Sequence, residues 1–134
     1  MKTVGLDTSI VIRLLTGVPE DQAERAKEYL QELHSEKTRA IVSDLVVAEA
    51  YFTLTYHYKV PKSEAAAKLT ELLESGYVFP DPKGLALETL KAHAKAKAGF
   101  VDQLIRNQYL TYAEEVATFD FDFGRMERVF RLKI

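Results

Sequence analysis

The stretch VATFDFDFGRM, residues 116–126, ends an apolar run on two carboxylates, Asp120 and Asp122, set among three phenylalanines. A buried, unpaired carboxylate is expensive enough that it neutralises or finds a partner. These acids therefore emerge just past the end of a strand, or something positive waits for them. The same sequence of events occurs near the start of the chain, where KTVGL (2–6) runs directly into Asp7. Between these two places lie further short apolar runs, RAIVS (39–43) and YVFP (77–80), and RVFRLK (128–133) is a candidate fifth. Helical patterns fill the intervals: SIVIRLL (9–15), the amphipathic PEDQAERAKEYLQELHSEK (19–37), and a helix from Asp44 to about Tyr58. PKSEAAAKLTELLESG (61–76) follows with Ser63 as its expected N-cap, then GLALETLKAHAKAKAG (84–99) and a helix from Asp102 to about Tyr112. Short apolar strands separated by helices predict an α/β fold, a central parallel sheet of four to five short strands covered on both faces.

The chain of 134 residues is read as a single domain, 1–134, with room for a sizeable core. It has no cysteine, which excludes disulfides, thiol catalysis and Cys-ligated zinc. His34, His57 and His93 are scattered, so a His-rich metal site or a Ser-His-Asp triad has little to work with. A net charge of −2 is not that of a protein that coats nucleic acid by bulk charge. It leaves room for local basic surface, at Lys91, Lys95 and Lys97 and at Arg125, Arg128, Arg131 and Lys133, although a solvated face is the plainer reading of each group. Neither a targeting segment nor an apolar run of membrane-spanning length is evident, so the expected location is cytoplasmic.

In an open α/β sheet, ligands bind beyond the carboxyl ends of the strands. Asp7 and Asp120 each follow a strand at that edge. Glu49 lies in DLVVAEAYFTLTY (44–56), a helix apolar nearly all round and hence expected to be buried, with the acid in or beside the core. Asp44, in that helix's first turn, reads as structural. Asp102 opens its helix and is also a good N-cap, and Asp122 is also a good turn residue. Two like charges about 4 Å apart repel by roughly 4 kcal/mol at an effective dielectric near 20, so converging acids need cations. Oxygen ligands without His or Cys suit Mg²⁺ or Mn²⁺, the usual machinery of phosphodiester hydrolysis. The alternative, in which the acids are caps and surface groups that never meet, stays open at this level.

VGLDTSIVIRLLTG (4–17), VSDLVVAEAYFTL (42–54), FVDQLIRNQYL (100–110) and VATFDFDF (116–123) resemble, in order, the acidic motifs of the PIN-domain ribonucleases. The likeness is nearest to the VapC toxins of toxin–antitoxin pairs and covers essentially the whole chain. It implies a three-layer α/β/α sandwich and a metal-dependent endoribonuclease. It implies that Asp7, Glu49, Asp102 and Asp120 hold one or two Mg²⁺ or Mn²⁺ ions, with Asp122 as an auxiliary ligand through water. Thr118 matches a position that usually carries Ser or Thr beside the metals, and Thr8 is a weaker match. It further implies RNA as substrate, a homodimer, and an antitoxin reaching into the acidic groove, often with an Arg that neutralises it. Ser9, where members often have a larger apolar residue, and the Lys/His-rich stretch before Asp102 are mild departures. Ser9 also stands where a haloacid-dehalogenase phosphatase needs its second Asp, and Leu6-Asp7 lacks the acidic pair of a response-regulator receiver. The alternative from another class is a PIN fold that binds RNA or protein without cutting.

Overall fold

The computed structural model describes residues 2–92 and 98–134. The chain forms two compact units, residues 1–87 and 88–134. His93, Lys95 and Lys97, and the expected second half of the 84–99 helix, fall outside the described residues.

The first unit runs β1 (Thr3–Gly5), α1 (Thr8–Thr16), α2 (Glu20–Ser35), β2 (Arg39–Val42) and α3 (Asp44–Phe52). A π-helical turn (Thr53–His57), α4 (Lys62–Leu73) and β3 (Val78–Pro80) follow. α5 (Ala86–Ala92) then carries the chain into the second unit. The strands form a parallel sheet in the order β1-β2-β3, with Val4 opposite Ala40 and Ile41 opposite Phe79. Each parallel pair is joined by two helices, as parallel connections require a crossover. β2 is central, and its Ala40 and Val42 are buried. The apolar run KTVGL predicts a buried strand, but β1 is an edge strand of this sheet and only its Val4 is partly covered. The core gathers Val11, Ile12, Val42, Val47, Leu54, Leu69 and Val78. On α2 the apolar stripe buries Ala23, Ala26 and Leu33 and leaves Leu30 half-buried.

Two helix starts differ from expectation. α4 begins at Lys62 with Pro61 at its N-cap position, so Ser63 lies inside the helix and is not the cap. The Pro61 carbonyl already accepts from Ala65 N–H at 2.9 Å, which moves the start upstream of Ser63. Asp44 is structural, as expected, but for a second reason. Its Oδ2 accepts from Leu85 N–H at 2.9 Å and its Oδ1 from Ala86 N–H at 3.0 Å, fixing the start of α5. Gly84 makes room for that contact, because a Cβ there would collide with Asp44 Oδ1.

The second unit contains α6 (Phe100–Tyr109), β4 (Val116–Thr118), a 3₁₀ turn (Phe123–Arg125) and β5 (Val129–Arg131). β4 and β5 pair in parallel, Val116 opposite Val129 and Thr118 opposite Arg131, so RVFRLK does supply a fifth strand. Among the described residues, five strands are thus organised as a three-stranded and a two-stranded parallel sheet. Val116, Phe123 and Val129 form a small core, joined by Leu110 and Met126. Among the described residues, no helix is long and apolar enough to cross a membrane.

Candidate active site

The three phenylalanines of residues 119–123 part company. Phe123 is buried in the small core, whereas Phe119 and Phe121 are 67% and 60% exposed. β4 stops at Thr118, and Asp120 stands exposed beyond its carboxyl end. Local bonds shape this corner. Asp120 N–H donates to Thr118 Oγ1 at 3.0 Å, and Phe123 N–H donates to Asp120 Oδ2 at 2.7 Å. The Asp120 carbonyl accepts from Gly124 N–H at 3.0 Å. A short side chain that bonds backbone nearby favours such turns. One carboxylate oxygen of Asp120 therefore starts the 3₁₀ turn, while among the described residues Oδ1 has no donor. Thr118, half-buried, positions the Asp120 backbone. Asp122 is exposed, and its side chain makes no cap bond.

The sequence also offers Asp102 as an N-cap. It is not one: α6 begins at Phe100, Gly99 occupies the cap position, and Asp102 sits in the first turn. The carboxylate is partly buried and, among the described residues, accepts no hydrogen bond. Burial raises its pKa above the ordinary value, and the charge of Asp120 raises it further. Asp102 thus lies in a partly desolvated place within the field of a second carboxylate and, among the described residues, forms no ion pair.

In the first unit Asp7 follows β1 and caps α1. Its Oδ1 accepts from Ser9 N–H at 3.0 Å, Ser9 Oγ at 2.6 Å and Ile10 N–H at 3.3 Å. The Ser9 hydroxyl, with help from Ile10 N–H, holds the Asp7 pKa below its ordinary value. Thr8, the next residue, donates through Oγ1 to Glu49 Oε1 at 2.8 Å and so ties α3 to the start of α1. The expectation that Glu49 is buried is corrected here: it is exposed. α3 is apolar all round, yet it buries only Val47, Ala50 and Tyr51, and Leu45 and Phe52 lie on its exposed side with Glu49. The helix then widens. Tyr58 N–H reaches back five residues to the Thr53 carbonyl at 3.1 Å, and Leu54 stays in the core while Tyr56 is exposed.

Asp7 is thus linked to Glu49 through Thr8, and the Asp102 pKa is raised in part by the charge of Asp120. Among the described residues, no three His, Cys, Asp or Glu side chains form a cluster that could hold a metal ion. The donor chemistry nevertheless fits a hard cation. Mg²⁺ keeps several waters and takes one or two carboxylates rather than an all-protein cage. A desolvated acid beside a second acid is relieved by such a charge.

The family model that matches the chain is that of the PIN domain, over residues 4–129. The chain belongs to the PIN-domain family. PIN domains are generally nuclease modules and typically metal-dependent, and the mixed α/β architecture with parallel strands is consistent with their α/β/α fold. The match runs through both units and includes every acid of the four motifs. No curated protein matches this PIN-domain chain. Ser9 is the residue whose role sequence reasoning missed. Read as a departure from the family pattern, it is the main partner of Asp7, and the Asp-Thr-Ser start of a helix is its legible signal.

Proposed function

We propose that this PIN domain is a metal-dependent endoribonuclease that hydrolyses RNA phosphodiester bonds, acting as the toxin of a toxin–antitoxin pair. The observation that carries the nuclease reading is Asp102: a partly buried carboxylate without a hydrogen-bond donor among the described residues, raised in pKa by burial and by Asp120. Structural acids cap helices or pair with bases. Among the described residues this one does neither, and a cation would satisfy it.

Asp102 and Asp120 would hold Mg²⁺ or Mn²⁺, and the motif resemblance gives Asp7 and Glu49 the same role, with Asp122 acting through water. A bound metal would supply Lewis acidity, activating a water toward phosphorus and offsetting charge on the leaving oxygen. The protein's own residues prepare for this. The Ser9 hydroxyl and the α1 N-terminus keep Asp7 ionised and fixed. Thr8 fixes one oxygen of Glu49 and leaves the other open. Thr118 fixes the Asp120 backbone, and the bond from Phe123 N–H holds Oδ2, so that Oδ1 points elsewhere. Asp7, Glu49 and Asp120 thus have an orientation set before ligand arrives, as preorganised sites require. The toxin assignment, the antitoxin that would enter the acidic groove and the homodimer rest on the likeness to VapC toxins.

The test is cleavage of a mixed RNA pool with Mn²⁺ or Mg²⁺ by wild type, Asp102→Asn and Asp7→Asn, with EDTA controls. Wild-type cleavage lost in both variants and in EDTA is the expected result. Equal cleavage by all three preparations would overturn the assignment. Metal-dependent RNA binding without cleavage would move the protein to the non-cutting PIN folds.

A further inference from the structure

Phe121 keeps its ring in water, 60% exposed, one residue beyond Asp120. Two arginines attend it. The Arg125 guanidinium carbon lies 5.7 Å from the ring centroid and that of Arg131 lies 5.2 Å away, both within cation–π range. Both arginines are exposed, and among the described residues neither forms a salt bridge, although Asp120, Asp122 and Glu127 are near in sequence. The arrangement is built rather than incidental. Phe123 anchors the 3₁₀ turn in the small core, and Gly124 lets that turn lie directly against β5 at Arg131. A Cβ on Gly124 would stand 2.8 Å from Arg131 Cβ, so no other residue allows the same approach. Close packing at this point is what brings Arg125, from the turn, and Arg131, from the strand, to one ring.

We propose that Phe121, flanked by Arg125 and Arg131, is a stacking platform for one unpaired base of the RNA substrate. This rests on the ribonuclease reading and assigns that reaction a positioning residue. A phenyl ring offers a π-face and no hydrogen-bonding group, so it accepts any base whose own face is free. Bases inside a duplex have both faces covered, so the platform selects unpaired segments. The flanking guanidiniums supply positive charge beside the stacked base, where the adjoining phosphates lie, and they can themselves stack on bases. An apolar protein partner has no use for two unneutralised cations around the ring. An acidic peptide does, and is the competing occupant.

The experiment measures fluorescence anisotropy of a short unstructured RNA, a blunt RNA duplex and a poly-glutamate peptide. The proteins are wild type, Phe121→Ala, Phe121→Trp and Arg131→Gln, in EDTA, with KM for the unstructured RNA measured in Mn²⁺. Phe121→Ala is expected to weaken single-strand binding, and raise KM, by about five- to 150-fold, the range that alanine substitution of a stacking aromatic gives. Phe121→Trp is expected to retain wild-type binding, Arg131→Gln to bind more weakly with a shallower salt dependence, and duplex binding to be unchanged by Phe121→Ala. Phe121 is exposed, so melting curves of Phe121→Ala are expected to overlay wild type. If wild type cuts RNA but Phe121→Ala binds and cuts it equally well, the platform is wrong and the nuclease reading stands. Equal loss on single strand and duplex, or a loss confined to poly-glutamate, also overturns it. If wild type neither binds nor cuts RNA, the nuclease reading fails and the platform falls with it.

Discussion

Asp7 carries two duties that substitution can separate. As the N-cap of α1 its Oδ1 takes three donors, from Ser9 N–H, Ser9 Oγ and Ile10 N–H. As a proposed metal ligand it needs its negative charge. Asp7→Ala removes the acceptor and the charge. Loss of an Asp cap costs about 1 kcal/mol, within a range of roughly 0.5–2. For a chain of 134 residues that corresponds to a melting temperature lower by roughly 3–5 °C. Asp7→Asn keeps an acceptor oxygen, and Asn caps about as well as Asp, so the melting temperature is expected to stay within about 1–2 °C of wild type. Both variants are expected to lose cleavage. The assay pairs thermal melts by circular dichroism in EDTA with RNA cleavage in Mn²⁺. The stability gap between wild type and Asp7→Ala also has a definite pH sign. The folded-state pKa of Asp7 lies below the ordinary 3.8. Its ionic contribution is therefore present above that ordinary value and fades as pH falls through the lowered one. Asp7→Asn melting as low as Asp7→Ala would refute the separation, because the charge rather than the acceptor would then hold α1. Cleavage retained by Asp7→Ala would leave Asp7 a cap and nothing more.

Asp102 has the opposite sign. Its folded-state pKa is raised, so its favourable contribution is present below the ordinary carboxylate pKa and lost as pH rises through the raised value. In EDTA, Asp102→Asn is expected to melt at or above wild type at neutral pH, and the advantage to vanish in acid. A lower melting temperature for Asp102→Asn at neutral pH would contradict this. Addition of Mn²⁺ is expected to raise the melting temperature of wild type and not of Asp102→Asn, by ordinary linkage of ligand to the folded state. Phe123→Ala is expected to cost about 3–5 kcal/mol in denaturant unfolding of the second unit, as buried Phe→Ala changes do. Phe121→Ala is expected to fall within about ±0.5 kcal/mol of wild type, as surface changes do. Gly124→Ala is expected to lower stability, since its Cβ would press on Arg131 at 2.8 Å, and unchanged stability would show that β5 yields easily.

The strands and most helices were legible because their signals are local. VATF, RAIVS and YVFP are apolar runs bounded by turn residues, and each contains an observed strand. The π-helical turn was not legible in α3, whose reading as one helix to Tyr58 holds only to Phe52. Thr53 Oγ1 donates to the Glu49 carbonyl and Thr55 Oγ1 to the Tyr51 carbonyl, at 2.9 and 3.0 Å. Such back-bonding bends helices, but threonines at these spacings occur in straight ones too. The division of five strands into sheets of three and two was equally out of reach, because strand pairing depends on partners distant in sequence.

The site teaches a sharper lesson about what apolar pattern means. Glu49 was placed in the core because its neighbours in sequence are apolar. The inference fails because an apolar residue has no obligation to be buried, and much of any protein surface is apolar. Leu45, 72% exposed on the same helix, makes the point. Asp102 makes a second point. Taken singly at a helix start, Asp reads as a cap, but a helix start at Phe100 puts the carboxylate in the first turn, half-buried and without a donor among the described residues. A shift of two residues, ordinary for helix ends, is the whole difference between a satisfied cap and a partly buried acid with no donor among the described residues. What separates the two acids is therefore where each helix begins: Asp7 lies just outside α1 and caps it, whereas Asp102 lies just inside α6 and does not.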